Sequence, residues 1–246
     1  MKKVLLVLLV IMAPARVLAA GGHAIHLDEA NIDPTNKQSL QRGARLFVNY
    51  CLSCHPAALM RYERMGKDLG IDEKLVSENL MFTGGKVGEL MTVATAPADA
   101  KEWFGTVPPD LSVIARARGV DWLYTYLRSF YLDDTRITGV NNLVFPDVGM
   151  PDVLWELQGW QKPVITTVRD HDGTERKVVE LELEEPGLLT PQEFDRAVRD
   201  LVNFLDYLGE PAKYERRHLG VKVILFLLVF LVLAYFTKRE FWRDVH

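Results

Sequence analysis

Apolar residues run almost unbroken at the two ends of the chain and recur at spaced intervals between them. Near the start, Val4 to Met12 form a short apolar run preceded by Lys2 and Lys3 and followed by the small residues Ala19 and Ala20. This is the arrangement of a secretory signal peptide over residues 1–20, cleaved after Ala19 or Ala20; the run is too short to span a bilayer. Near the other end, VKVILFLLVFLVLAYF (Val221 to Phe236) has Lys222 as its one charge. With Leu219 and Gly220 it is long enough to cross and apolar on every face, which predicts a transmembrane helix over 219–237. Basic residues flank it on both sides (Arg216, Arg217, Lys238, Arg239, Arg243). Orientation therefore rests on the signal peptide, which puts the body, residues 21–218, on the exported side and the tail, residues 238–246, in the cytoplasm.

Between these runs the spacing is helical first. Leu40, Ala44, Phe47 and Val48 fall on one face of a helix over Asn36 to Tyr50, which leads directly into the cysteines. Shorter pieces follow, punctuated by Gly84-Gly85, Pro97 and Val107-Pro108-Pro109-Asp110, with a helix around Asp72 to Asn79. Asp110 reads as the N-cap of LSVIARAR, and Gly119 ends that helix. DWLYTYLRSFY (121–131) predicts a second, aromatic-rich helix, and GVNNLVFPDVGMPD (139–152) an irregular loop. From Lys162 to Leu183 the period changes to two around Asp172-Gly173, predicting a β-hairpin inserted at about 162–185. Thr190-Pro191-Gln192-Glu193 is a capping box that opens a helix through Leu208. The fold class is mainly α: short helices and loops around a site, one small β-hairpin insertion, and a C-terminal transmembrane helix.

The formal charge of the 246 residues is −4. Removing residues 1–20, with three basic residues and no acidic one, takes it to −7, so the exported body is acidic. That argues against nucleic acid as a partner and suits a basic protein partner. The acidic run Glu180 to Glu185 reads first as a solvated strand face.

Both cysteines lie in YCLSCHP, residues 50–56. A zinc site calls for about four ligands, and the other histidines stand singly or at the chain ends. A redox dithiol belongs at a helix start after a buried strand, whereas an amphipathic helix precedes this pair. Covalent haem attachment accounts for every feature: Cys51 and Cys54 match the two vinyl groups of one porphyrin edge, and His55 follows as the iron's proximal ligand. Export suits it, because c-type haem is attached outside the inner membrane.

A haem that only transfers electrons has a second axial ligand, and a methionine thioether raises the potential. Met60 and Met65 follow His55 closely, in what reads as the same helical region. Met81 and Met91 sit in apolar stretches that suit packing. Met150 lies between Gly149 and Pro151 in an irregular loop, which fixes the backbone and leaves room for a ring. It is the favoured ligand. A haem sensor with an open sixth position is the alternative.

YCLSCH, VPPDLSVIARARG, NNLVFPDVGMP and the closing anchor together resemble the cytochrome c1 family, the haem subunit of the bacterial cytochrome bc1 complex (ubiquinol:cytochrome c oxidoreductase, complex III). The resemblance covers nearly the whole chain. It implies one haem c held by Cys51 and Cys54, with His55 and Met150 as axial ligands. It also implies Arg116 at a haem propionate, with Arg118 as rival, and Pro109 and Trp122 in the haem pocket. Gly43 and Phe47, with Phe204 and Tyr207, look like the crossing of first and last helices found in cytochrome c domains. The implied partners are cytochrome b, a Rieske iron-sulfur protein that donates the electron, and a periplasmic cytochrome c that accepts it, within a dimeric complex. The chain itself performs no chemistry on a substrate. Two other readings are a membrane-anchored monohaem cytochrome outside any quinol complex and a Cys-x-x-Cys dithiol oxidoreductase.

Overall fold

The computed structural model describes residues 26–82, 85–169 and 175–244. The signal peptide and the turn of the hairpin at His171 to Thr174 lie outside the described residues.

Helix α1 (Lys37–Leu46) begins where the Asn36 side chain accepts a hydrogen bond from the Ser39 amide, and it buries Leu40, Gly43 and Ala44. One wide π turn, Phe47–Cys51, continues it. The amides of Cys54 and His55 then both donate to the Cys51 carbonyl, at 3.1 and 2.8 Å, closing the attachment motif into a tight turn. Strand β1 (Ala57–Arg61) follows and pairs antiparallel with β2 (Leu90–Met91). Between them lie α2 (Tyr62–Leu69), ended by Gly70 in the left-handed region at φ 72°, and α3 (Glu73–Asn79), capped by Asp72.

The segment after His55 is thus a strand before it is a helix, which corrects the sequence reading. Met60 lies on β1 and Met65 on α2, both buried. The reason is hydrogen bonding to a distant segment. The Ala58 amide donates to the Asp110 carboxylate (2.9 Å) and the Leu59 amide to the Ser112 hydroxyl (3.0 Å), so the turn at 110–112 satisfies donors that a helix would have used.

After α4 (Pro97–Phe104) come α5 (Ile114–Arg118) and α6 (Val120–Arg128). Asp110 caps a turn, accepting from the Ser112 amide at 2.7 Å, and α5 starts only at Ile114; Gly119 ends it at φ 89°. The aromatic helix stops at Arg128, three residues short of the predicted end. Phe130–Leu132 (β3) instead pairs with Val140–Asn142 (β4), which lies inside the predicted loop. Three-residue strands carry too little periodicity to read; only their mutual pairing defines them.

A single turn, α7 (Trp155–Gln158), leads into the hairpin of β5 (Gly159–Arg169) and β6 (Glu175–Pro186), which pair from Gly159 with Pro186 to Arg169 with Glu175 with one register shift between Trp160 and Gln161. It starts earlier than the predicted 162 because the Gln158 and Gln161 side chains tie it to the Arg128 carbonyl, each at 3.0 Å.

Helix α8 (Pro191–Gly209) carries the predicted capping box and supplies most of one wall of the core. It crosses α1 at Gly43, where a Cβ would collide with the Asp200 carbonyl and the Phe204 side chain. Phe47 meets Phe204 with ring centroids 5.5 Å apart, and Arg42 makes a forked ion pair with Asp200 at 2.5 and 3.0 Å. Buried Asn203 closes the crossing by donating to the Asp33 carbonyl (2.7 Å) and the Ser39 hydroxyl (3.0 Å).

Helix α9 (Lys213–Phe241) extends the predicted 219–237 at both ends. Residues Glu215–Phe241 are long and apolar enough to cross a membrane, and their apolar side chains face outward from the helix.

Candidate functional site

The π turn at the end of α1 delivers Cys51 buried and Cys54 half-buried, neither in a disulfide. Burial, then the neighbouring Cys54, pushes the Cys51 thiol up to about 12. A dithiol oxidoreductase needs the opposite, a thiol lowered toward the thiolate.

His55 is held by one ring nitrogen: Nδ1 lies 2.8 Å from the Pro109 carbonyl oxygen. A carbonyl only accepts, so Nδ1 carries the proton and Nε2 keeps its lone pair. This is the arrangement by which a protein orients a metal-binding imidazole. Burial lowers the His55 pKa, which favours the neutral, ligating form.

These residues line a cavity of about 410 Å³, within the range of sites that hold a small organic group. Cys51, Cys54 and His55 form one part of its wall, and Met150, between Gly149 and Pro151, another. Pro109 and Leu111 come from the segment before α5, Trp122 and Tyr126 from α6, and Leu201 and Leu205 from α8. Met60, Met65 and Met91 are buried in the core and Met81 packs against it; none is among the cavity walls.

The two arginines separate cleanly. Arg118 lines the cavity, its guanidinium 5.0 Å from the Trp122 ring centroid and 5.8 Å from that of Phe145. Arg116 is not among the lining residues; it packs against Gly209 at the end of α8 and interacts electrostatically with Glu210. Two positions along a helix turn the side chain through about 200°, so one of the pair alone can face the cavity. The cavity-facing guanidinium is Arg118 rather than the predicted Arg116.

Sequence reasoning also missed Tyr126 and Phe145. Trp122 stacks on Tyr126 with centroids 4.9 Å apart and planes 9° from parallel, and meets Phe145 edge-on at 6.4 Å. The i, i+4 spacing of Trp122 and Tyr126 was a usable signal for a shared helix face. Phe145 had none, because its loop is anchored to α6 through the bond from Asn142 to the Tyr126 carbonyl, 16 residues away. Burial raises the Asp152 carboxyl to about 6, against the hydrogen bond from the Leu154 amide.

The donor set suits a c-type haem: two free thiols at the required spacing, an imidazole with Nε2 available, a thioether on the same cavity, and apolar and aromatic walls. Fold and site together define a c-type cytochrome with, among the described residues, one helix capable of crossing a membrane. The Cytochrome C1 family model matches residues 29–159 and 187–245, and the chain belongs to that family. The gap between the matched stretches coincides with the β5–β6 hairpin.

The chain is 51% identical to cytochrome c1 of Allochromatium vinosum, over the whole of both chains. It is 48% identical, again over the whole of both, to a Nitrosomonas europaea protein named ammonia monooxygenase gamma subunit. Cytochrome c1 of Rhodospirillum rubrum is 25% identical, covering 85% of this chain and 83% of that one. Family membership makes the chain a haem c protein and an electron-transfer subunit of a quinol:cytochrome c oxidoreductase, the bc1 complex.

Proposed function

We propose that Cys51 and Cys54 would hold the haem as thioethers, that His55 and Met150 would ligate its iron, and that Arg118 would face a propionate. The haem, when bound, supplies one-electron iron chemistry. The chain takes one electron from a Rieske iron-sulfur protein and passes it to a periplasmic cytochrome c. It does so beside cytochrome b in a dimeric complex that translocates protons.

In the same reading residues 1–20 are a signal peptide and 21–218 form the periplasmic domain. Residues 219–237 are the core of the inner-membrane anchor, and 238–246 the cytoplasmic tail. The observation that carries the proposal is the meeting of Cys51, Cys54, His55 and Met150 on one apolar cavity.

The protein's own groups have separable tasks. The Pro109 carbonyl fixes the imidazole tautomer and aim. The apolar walls exclude water, which stabilises the less charged reduced state. Arg118 adds a positive charge that acts in the same direction.

The test is an alkaline pyridine spectrum of membranes carrying the wild type and the Cys51→Ala/Cys54→Ala pair. A thioether-type haem spectrum in the first and its loss in the second are expected; a signal retained by the double variant would overturn the assignment. Copurification of the wild type with a dihaem cytochrome b and an iron-sulfur protein tests the assembly.

A further inference from the structure

Packing alone explains only part of Tyr126. Its ring lies flat on Trp122 and meets Phe130 at a steep angle with centroids 5.2 Å apart. A phenylalanine would make both contacts. The hydroxyl does something a phenylalanine could not: Oη donates to the Met150 sulfur at 3.4 Å. Tyr126 is 9% exposed, so water is a poor substitute partner, and buried phenols are as a rule hydrogen-bonded. The same residue is tied to the Met150 loop a second time, through its carbonyl, which accepts from the Asn142 side chain at 2.8 Å.

We propose that Tyr126 is a positioning residue for Met150, aiming its thioether into the cavity and drawing electron density from the sulfur. The proposal rests on the reading of Met150 as an iron ligand. A thioether sulfur has two lone pairs: Tyr126 engages one and leaves the other for the metal. A ligand polarised by a hydrogen bond is a weaker electron donor, and the loss is felt more by oxidised than by reduced iron. The bond therefore raises the reduction potential.

The experiment is a redox titration of the full-length haem-loaded protein as wild type, Tyr126→Phe and Met150→Leu. The sulfur-to-iron charge-transfer band of the oxidised form is recorded for each. Tyr126→Phe keeps the ring contacts and covalent haem. It is expected to shift the equilibrium with a fixed redox partner about two- to ten-fold toward the oxidised protein, the equivalent of one ordinary hydrogen bond, and to displace the band. Tyr126→Leu, also without a hydroxyl, serves if the phenylalanine variant does not accumulate.

If Tyr126→Phe matches the wild type in potential and band while Met150→Leu loses the band, Tyr126 is a packing residue and the proposal falls alone. If Met150→Leu keeps the band, the ligand assignment falls and takes the proposal with it.

Discussion

Asn142 clasps Tyr126 from behind: its Nδ2 donates to the Tyr126 carbonyl at 2.8 Å, and its Oδ1 accepts the amides of Val144 (2.9 Å) and Phe145 (3.1 Å). The side chain is fully buried, so water cannot replace these bonds. One amide group thereby joins the end of α6 to the start of the loop that carries Met150. Its neighbour Asn141 extends the clasp by accepting from the Asp147 amide at 2.9 Å.

Replacing Asn142 with leucine removes the acceptor of the Val144 and Phe145 amides and one donor to the Tyr126 carbonyl, which keeps the Ser129 amide at 3.3 Å. The expected cost is about 1–3 kcal/mol. Thermal unfolding of the detergent-solubilised protein measures it. Covalent haem content should persist, because the attachment turn shares none of these bonds; a melting temperature equal to the wild type would refute the clasp.

Gly43 is predicted to tolerate no side chain. The obstacle to a Cβ is the Asp200 backbone, which cannot rotate away as a flexible side chain would. Gly43→Ala therefore forces α1 and α8 apart, at a cost of at least about 1–3 kcal/mol for overpacking. This outweighs the gain of up to about 1 kcal/mol in helix propensity. Alanine at an exposed position of the same helix, such as Gln38→Ala, gives the comparison that isolates the crossing.

The arginine pair yields a contrast within one helix. A positive charge beside the cavity stabilises the reduced state, so Arg118→Gln should lower the reduction potential. The expected size is at most about 1 kcal/mol, because the residue is exposed and its charge screened. Arg116→Gln, which loses its interaction with Glu210 instead, should change the potential much less. Equal shifts in the two variants would mean that long-range charge, not placement, is being read.

The capping box at the start of α8 carries a pH signature. Thr190 Oγ1 accepts from the Glu193 amide (3.4 Å), while Glu193 Oε2 accepts from the Thr190 amide (3.0 Å) and hydroxyl (2.8 Å). The hydrogen bonds from the Thr190 amide and hydroxyl hold the Glu193 carboxyl below the usual carboxylate range. A group lowered on folding stabilises fully above its unfolded pKa, and that contribution disappears as pH falls through the lowered folded value. Glu193→Gln should flatten the acid limb of the stability–pH curve in that window. Thr190→Ala should cost about 0.5–2 kcal/mol at neutral pH. An unchanged acid limb in Glu193→Gln would remove the carboxylate from the account.

The elements that could be read from the chain were those whose cause is local. The Cys51-x-x-Cys54-His55 spacing, the apolar anchor, the helix around Asp72 to Asn79, the Thr190–Glu193 box and the hairpin all follow from residues within a few positions of one another. What required the tertiary structure was which partner each residue meets at a distance. The His55 tautomer is set by a carbonyl 54 residues away, and the Met150 sulfur is engaged by a phenol 24 residues upstream. The choice between Arg116 and Arg118 depends on how a short helix is rotated against α8. Strands β3 and β4 exist only because they pair. Local propensity and covalent spacing are written along one dimension, whereas the rotation of a helix and the destination of a side chain follow from packing whole segments together at minimum volume with their buried polar groups satisfied.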